Sequence, residues 1–178
     1  FGLLIFFSGI AIIVSLLSYT PNDPNFLIKE KDEIENLLGF RGSVVSDFLF
    51  QSVGIISYLI PFTLIFSGIN IFIKKKQIII IENLFFCTLY ILFGSIFFSY
   101  FNDQSFLLTI NGNGGFVGLF LKDSFFSSLI EIDQNISYYI LIFIIIYIFL
   151  LSKKFNILKI INYIRFIKTF LISKKRSE

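Results

Sequence analysis

The sequence predicts an all-α integral membrane protein. Four transmembrane helices run N-in/C-in, and an outer interfacial short helix lies between spans three and four. Three observations carry this expectation. First, 56% of the 178 residues are hydrophobic and 15% charged, whereas a soluble domain carries about 25% charged residues; the mean hydropathy is +0.85. Second, four apolar runs each approach the roughly 20 residues that cross a bilayer. Third, basic residues gather at one set of run ends and acidic residues at the other.

Residues 1–19 form the first span, which at 1.5 Å per residue reaches about 28 Å, close to the hydrocarbon thickness. Ser8, Ala11, Ser15 and Ser18 share a helix face, and small residues let membrane helices approach closely. Pro21 cannot continue the helix, and Asn22-Asp23-Pro24 favours a turn. Tyr19 suits the water interface. No A-x-A-like site follows, which argues against a cleaved signal peptide. The loop onward mixes Lys29, Lys31 and Arg41 with Asp23, Glu30, Asp32, Glu33, Glu35 and Asp47, the pattern of a solvated face.

A polar lead-in marked by Gly39 and Gly42 precedes the second span, which starts between Val44 and Gln51 and covers residues 48–73. Pro61 is its one break. It frees the carbonyl of Ser57 one turn back, and a kink supported by a hydroxyl is tolerated in membrane helices. Lys74-Lys75-Lys76 ends the span and faces the cytoplasm. The turn from Lys74 to Gln77 leads into the third span, residues 78–100, so the two form an antiparallel hairpin. Glu82 lies near the lysines, where interfacial pairing accounts for it better than intramembrane chemistry. Thr88, Ser95 and Ser99 share a face, and Cys87 reads as an inert buried thiol.

Asn102-Asp103-Gln104 leaves the membrane. Residues 105–110 read as strand or loop, Asn111-Gly112-Asn113-Gly114-Gly115 as a turn, and residues 116–121 as a short helix in the outer interface. The glycine cluster lacks the Gly-Lys-Ser/Thr ending of a phosphate loop. The fourth span, residues 135–152, runs from Tyr138 and Tyr139 to Lys153-Lys154 and has no small residue between Tyr139 and Leu151. It reads as the most lipid-exposed of the four. Residues 1–152 thus make a membrane domain. Residues 153–178 form a basic juxtamembrane segment that starts a cytoplasmic linker and suits anionic lipid head groups.

With Lys74, Lys75 and Lys76 inside, Lys29, Lys31, Arg41 and Lys122 are the basic residues left outside, of 15 in all. The acidic residues reverse this distribution, so the positive-inside rule holds by a wide margin. Histidine is absent and Cys87 is the single cysteine. An intrachain disulfide is impossible and a His or Cys metal site is excluded. Phe1 already lies inside an apolar run and the chain stops in a basic segment, which reads as a fragment of a longer protein.

The motifs resemble a known family. Leu16-Leu17-Ser18-Tyr19-Thr20-Pro21-Asn22-Asp23-Pro24 is similar to the L-L-S-Y-x-P-x-D-P that closes the first span of FtsK/SpoIIIE-type DNA translocases. Asn36, Gly39, Gly42 and Asp47, then Gln51 and Gly54, then Tyr58 and Pro61, resemble the start of that family's second span. Gly114-Gly115-Phe116-Val117-Gly118 is similar to its G-G-x-x-G before the last span. Asn25 departs from the usual serine after D-P. The resemblance covers nearly the whole chain and implies the N-terminal membrane domain of a bacterial cell-division protein in the inner membrane, at the division septum. It further implies homo-oligomers, contacts with division-septum proteins and the lipid bilayer, and DNA contact only through a separate ATPase motor. ATP and Mg belong to that motor. No G-x-x-x-x-G-K-[ST] occurs in this chain, so it is expected to be an anchor and interaction module, not an enzyme.

The residues singled out as shaping the outer loops and contacting partners are Ser18, Tyr19, Pro21, Asp23, Pro24, Gly39, Gly42, Asp47, Gln51, Gly114, Gly115 and Gly118, with Pro61 inside the span. Turns and caps at the membrane surface account for them equally well. Two other classes stay open: a small transporter or channel subunit, and the membrane anchor of an unrelated cytoplasmic domain. The first would call for ionisable residues or paired broken helices near the midplane.

Overall fold

The computed structural model describes residues 1–24, 34–103, 108 and 110–153. Every regular element among them is helical: α1 (Gly2–Leu17), α2 (Gly39–Val53), a 3-10 turn (Gly54–Tyr58), α3 (Leu59–Lys74), α4 (Ile78–Phe101), α5 (Gly115–Lys122), α6 (Phe125–Ile132) and α7 (Gln134–Ser152). Three continuous stretches, Gly39–Lys74, Ile78–Phe101 and Gln134–Ser152, are long and apolar enough to cross a membrane, and Gly2–Leu17 is a shorter apolar helix. The charged loop over 25–33, most of the expected strand or loop over 105–110, and the basic segment from 154 onward lie outside the described residues.

Two antiparallel pairs build the bundle. In the first, α1 lies against α3 at backbone distance. A Cβ on Gly2 would meet the Gly68 carbonyl oxygen at 2.8 Å, one on Gly9 the Pro61 carbonyl oxygen at 2.9 Å, and one on Gly68 the Phe6 nitrogen at 2.6 Å. In the second, α4 lies against α7, with Tyr90 edge-on to Phe149 at 5.5 Å between ring centres and Phe101 edge-on to Tyr138 at 5.2 Å. The turn between α3 and α4 is closed by Lys75, which takes the left-handed conformation (φ 54°) that commonly terminates helices. This end is called the lysine end below, and the opposite one the loop end.

A buried polar seam joins the pairs. The Asn83 amide donates to Ser67 Oγ (2.7 Å), and the Ser67 hydroxyl donates back to the Thr63 carbonyl (2.6 Å). Thr63 Oγ1 and Tyr90 Oη are 2.8 Å apart, and Cys87 Sγ is 3.0 Å from the same phenol oxygen. The hydroxyls of this seam and the Asn83 amide nitrogen are satisfied this way because lipid offers no partner, while the Asn83 side-chain oxygen is buried without a partner among the described residues.

Several expectations change. The second span does not begin near 48 and break at Pro61. Helix starts at Gly39, and the break is the 3-10 turn after Val53, where Gly54 takes φ 74°. Pro61 instead sits in the first turn of α3, where the missing N–H would have had no intrahelical partner. The Ser57 hydroxyl, expected to support a kink, has no hydrogen-bond partner among the described residues. The face of α1 packed on α3 is Gly2, Ile5 and Gly9; of the expected small-residue face Ser15 is buried and Ser18 half-buried, whereas Ser8 and Ala11 are exposed. On α4, Ser95 and Ser99 are buried but Thr88 is exposed, and Asn83 joins the buried set. Two short helices, not one, lie between α4 and α7. Glu82 is exposed and Cys87 buried.

Of the three long apolar stretches, Gln134–Ser152 is the least buried, 17% against 39% for Gly39–Lys74 and 33% for Ile78–Phe101. Lys153 follows α7, and its ammonium lies 3.6 Å from the Phe149 ring centre and 4.5 Å from that of Phe66. Phe66 is roughly two turns before Lys74 on α3, so Lys153 stands level with the middle of α3 and not with the lysine turn.

Candidate functional site

All but one of the residues singled out in the sequence converge at the loop end, where α2, the 3-10 turn, α5 and the chain segments between helices meet. Thr20 to Asp23 closes a turn, the Asp23 N–H donating to the Thr20 carbonyl at 3.1 Å. Pro21 occupies its second position, which suits the fixed φ of proline. The turn points Asp23 inward, where it is 5% exposed. Its carboxylate accepts the backbone N–H groups of Glu35 (2.9 Å) and Asn36 (2.8 Å). Asp23 thereby ties the chain after α1 to the chain before α2.

Asn36 is the hub of this first cluster. Its amide nitrogen donates to the carbonyls of Ser15 (2.9 Å) and Ser18 (3.2 Å), and its side-chain oxygen accepts the Leu38 N–H (3.1 Å). The Ser18 hydroxyl donates to the Val14 carbonyl and accepts the Leu37 N–H. On α2, Ser43 donates to the Pro24 carbonyl (2.6 Å), and the Gly42 carbonyl accepts the hydroxyls of Ser15 (2.5 Å) and Ser46 (2.9 Å). A Cβ on Gly42 would overlap the Asn36 side chain. Gly39, in contrast, is half-buried with open space where a Cβ would stand, and its φ of 62° starts α2.

A second cluster locks the 3-10 break. The Ile55 N–H donates to the Asn113 carbonyl (2.9 Å), and a Cβ on Gly54 would collide with that same carbonyl. Gly115 (φ 64°) faces the backbone of Val53 and Gly54, while Gly114 and Gly118 lie against Ser95 and Ser99 of α4. The Asn113 amide donates to the Asn102 carbonyl (2.7 Å), and Ser95 donates to the Val53 carbonyl (2.9 Å). The glycine run is therefore a packing surface that lets α5 and the break in the second span touch at backbone distance.

Tyr19, Asp47 and Gln51 bridge the clusters. The Tyr19 phenol donates to Asp47 Oδ1 at 3.3 Å, and its ring packs on Phe50 at 4.8 Å. The Asn111 amide reaches the Gln51 carbonyl (3.1 Å) and Gln51 Oε1 (3.2 Å). Burial first, and then the neighbouring Asp47 charge, pushes the Tyr19 phenol up to about 12. At the rim, Lys122 pairs with Asp103 at 3.2 Å, an exposed ion pair of small energetic weight.

Of the predicted residues, Pro61 alone stands apart, inside the α1–α3 contact. Asn36 was named in a motif and Asn111 and Asn113 in a turn, but none of the three was expected as a hub, although each is a polar residue next to a glycine-marked turn. Among the described residues no three His, Cys, Asp or Glu side chains gather as a metal site. The arrangement positions backbone and holds loops.

Comparison with known proteins identifies a family. Residues 1–165 match the family described as the 4TM region of DNA translocase FtsK/SpoIIIE. A DNA translocase FtsK of Rickettsia typhi is 32% identical over 74 residues, 42% of this chain and 10% of that protein. One of Rickettsia prowazekii is 39% identical over 62 residues, 35% of this chain and 8% of that protein. One of Rickettsia bellii is 38% identical over 69 residues, 39% of this chain and 9% of that protein. The matched part thus spans about a tenth of the length of these curated relatives. No solved structure matches significantly. With three long apolar helices, a shorter one, and a family match over residues 1–165, the chain belongs to the four-transmembrane region of the FtsK/SpoIIIE DNA translocase family.

Proposed function

We propose that this chain is the membrane anchor and septal interaction domain of an FtsK-type DNA translocase in the bacterial inner membrane. The lysine end faces the cytoplasm and the loop end faces outward, with α5 and α6 lying in the outer interface. Residues 1–152 are the anchor, and residues 153–178 lead into a linker and an ATPase motor that uses ATP and Mg and carries the DNA contact. The domain assembles as a homo-oligomer and meets other division proteins. The single observation that carries this reading is the family match over residues 1–165. The crowding of Lys74, Lys75 and Lys76 at one end supports the orientation.

On this reading the loop-end clusters around Asn36 and Asn113 give the outward surface a fixed shape. Leu37, Ile110 and Ile132 stand 76%, 75% and 80% exposed at that end, and such apolar side chains suit a protein or lipid partner. A fluorescent fusion of the full chain in a dividing rod-shaped bacterium tests the septal role. A mid-cell band, weakened by L37D together with I110D, is expected. Uniform membrane fluorescence at every stage of division would sink the septal assignment while leaving the anchor intact.

A further inference from the structure

The side of α2 that faces away from the bundle carries a cation where lipid would lie. The buried positions of α2 are Gly42, Ser43, Ser46 and Phe50, three of them small or polar, whereas Phe40, Val45 and Phe48 are exposed. This reverses the pattern of a helix whose outer face meets water. Arg41 is exposed among those apolar side chains. Beside Arg41 a cavity of about 340 Å³ opens between α1 and α2, lined by Ala11, Ile12 and Ser15 on one side and Leu38, Arg41 and Val45 on the other. The Ser15 hydroxyl is already engaged with the Gly42 carbonyl, which leaves an apolar slot with a guanidinium at its edge.

Depth and chemistry agree on the occupant. Ala11 precedes the end of α1 at Leu17 by about 9 Å of helix, so the slot spans the boundary between head groups and acyl chains, some 5–10 Å deep. Guanidinium pairs bidentately with phosphate, and an apolar slot takes hydrocarbon in preference to water. The volume lies within the roughly 300–1,000 Å³ of small-molecule sites. We propose that Arg41 and the α1–α2 cavity bind one anionic phospholipid, its phosphodiester on the guanidinium and one acyl chain in the slot. A free phosphate would use only the cation. The site needs α1 and α2 to be embedded in a bilayer and is independent of the septal role and of orientation.

Native mass spectrometry of the full chain in detergent, titrated with dioleoyl phosphatidylglycerol, tests this. One lipid retained per chain is expected. Removing the cation with R41A, or filling the slot with A11F, should each lower the retained fraction about tenfold, a loss of roughly one charge-assisted contact. R41K should retain an intermediate fraction, and K122Q, which removes a cation elsewhere at the same end, should behave as wild type. Excess glycerol phosphate should not displace the lipid. Thermal midpoints of each variant report on folding; if A11F fails to fold, V45W blocks the slot from its exposed rim. Wild-type retention by R41A, equal loss in K122Q, or displacement by glycerol phosphate would each overturn the site.

Discussion

At the scale of single residues, Asp23 and Asn36 carry more of the loop end than their number suggests. Removing the Asp23 carboxylate leaves the amides of Glu35 and Asn36 without acceptors, and an unsatisfied buried donor costs about 1–3 kcal/mol. D23A should therefore lower the unfolding midpoint in detergent more than D23N, which keeps one acceptor oxygen; equal midpoints for wild type and D23A would show that the carboxylate holds nothing. Tyr19 gives a pH signature. Its phenol, ordinarily near 10, is raised to about 12 by burial and then by the Asp47 charge. A raised value means stability fully present below pH 10 and lost as pH climbs toward 12. The melting midpoint should fall across that window, and Y19F should start lower but show a flatter profile. Tyr19 and Asp23 were legible in the sequence because they stand in a recognisable order around a proline turn, and Asp47 because it follows the Gly39 and Gly42 that open the second span. Asn36, Asn111 and Asn113 as hubs were not, since a polar residue beside glycine looks the same whether it faces water or closes a buried network.

At the scale of elements, glycine decides where the second membrane stretch breaks. Gly54 combines a positive φ with a neighbouring carbonyl that leaves no room for a side chain. Pro61 lies in a first turn, where proline is accommodated. G54A should lower the thermal midpoint clearly more than P61A, since a strained φ and a backbone collision act together; the reverse order would restore Pro61 as the break. The α1–α3 contact rests on the same logic of close approach. Gly68 meets the backbone of Gly2 and Phe6, so G68L should destabilise by about 1–3 kcal/mol, the usual cost of overpacking, and a disulfide engineered across α1 and α3 should form more slowly. Unchanged stability in G68L would mean that the two helices are not held at backbone distance. Serine spacing on α1 pointed to a different face because small size alone does not reveal which side a neighbouring helix takes.

For the whole molecule, the arrangement of charge predicts an orientation that labelling can read. Cys87 is buried, so single cysteines can be introduced against a silent background. K76C at the lysine turn and I110C at the loop end should react with a membrane-impermeant maleimide from opposite faces of sealed vesicles, K76C from the cytoplasmic one. Labelling of both from one face would overturn the antiparallel four-span arrangement. Lys153 qualifies the simple picture of boundaries. Its ammonium rests on Phe149 and Phe66, and cation–π contacts of this kind contribute about 0.5–2 kcal/mol, which lets a lysine stand level with the middle of α3.

The sequence by itself determined the class, the all-helical architecture and the family, because hydrocarbon admits few structures: apolar length and the charge at run ends are one-dimensional properties that the bilayer reads directly. It also determined the lysine hairpin and its tight turn. Tertiary structure alone decided where α2 ends, which glycines touch, and that Asn83, Ser67, Thr63 and Tyr90 form a seam. Those features depend on which face of each helix meets another. In a chain whose lipid-facing and core-facing positions are both apolar, the pattern along the sequence does not distinguish the two.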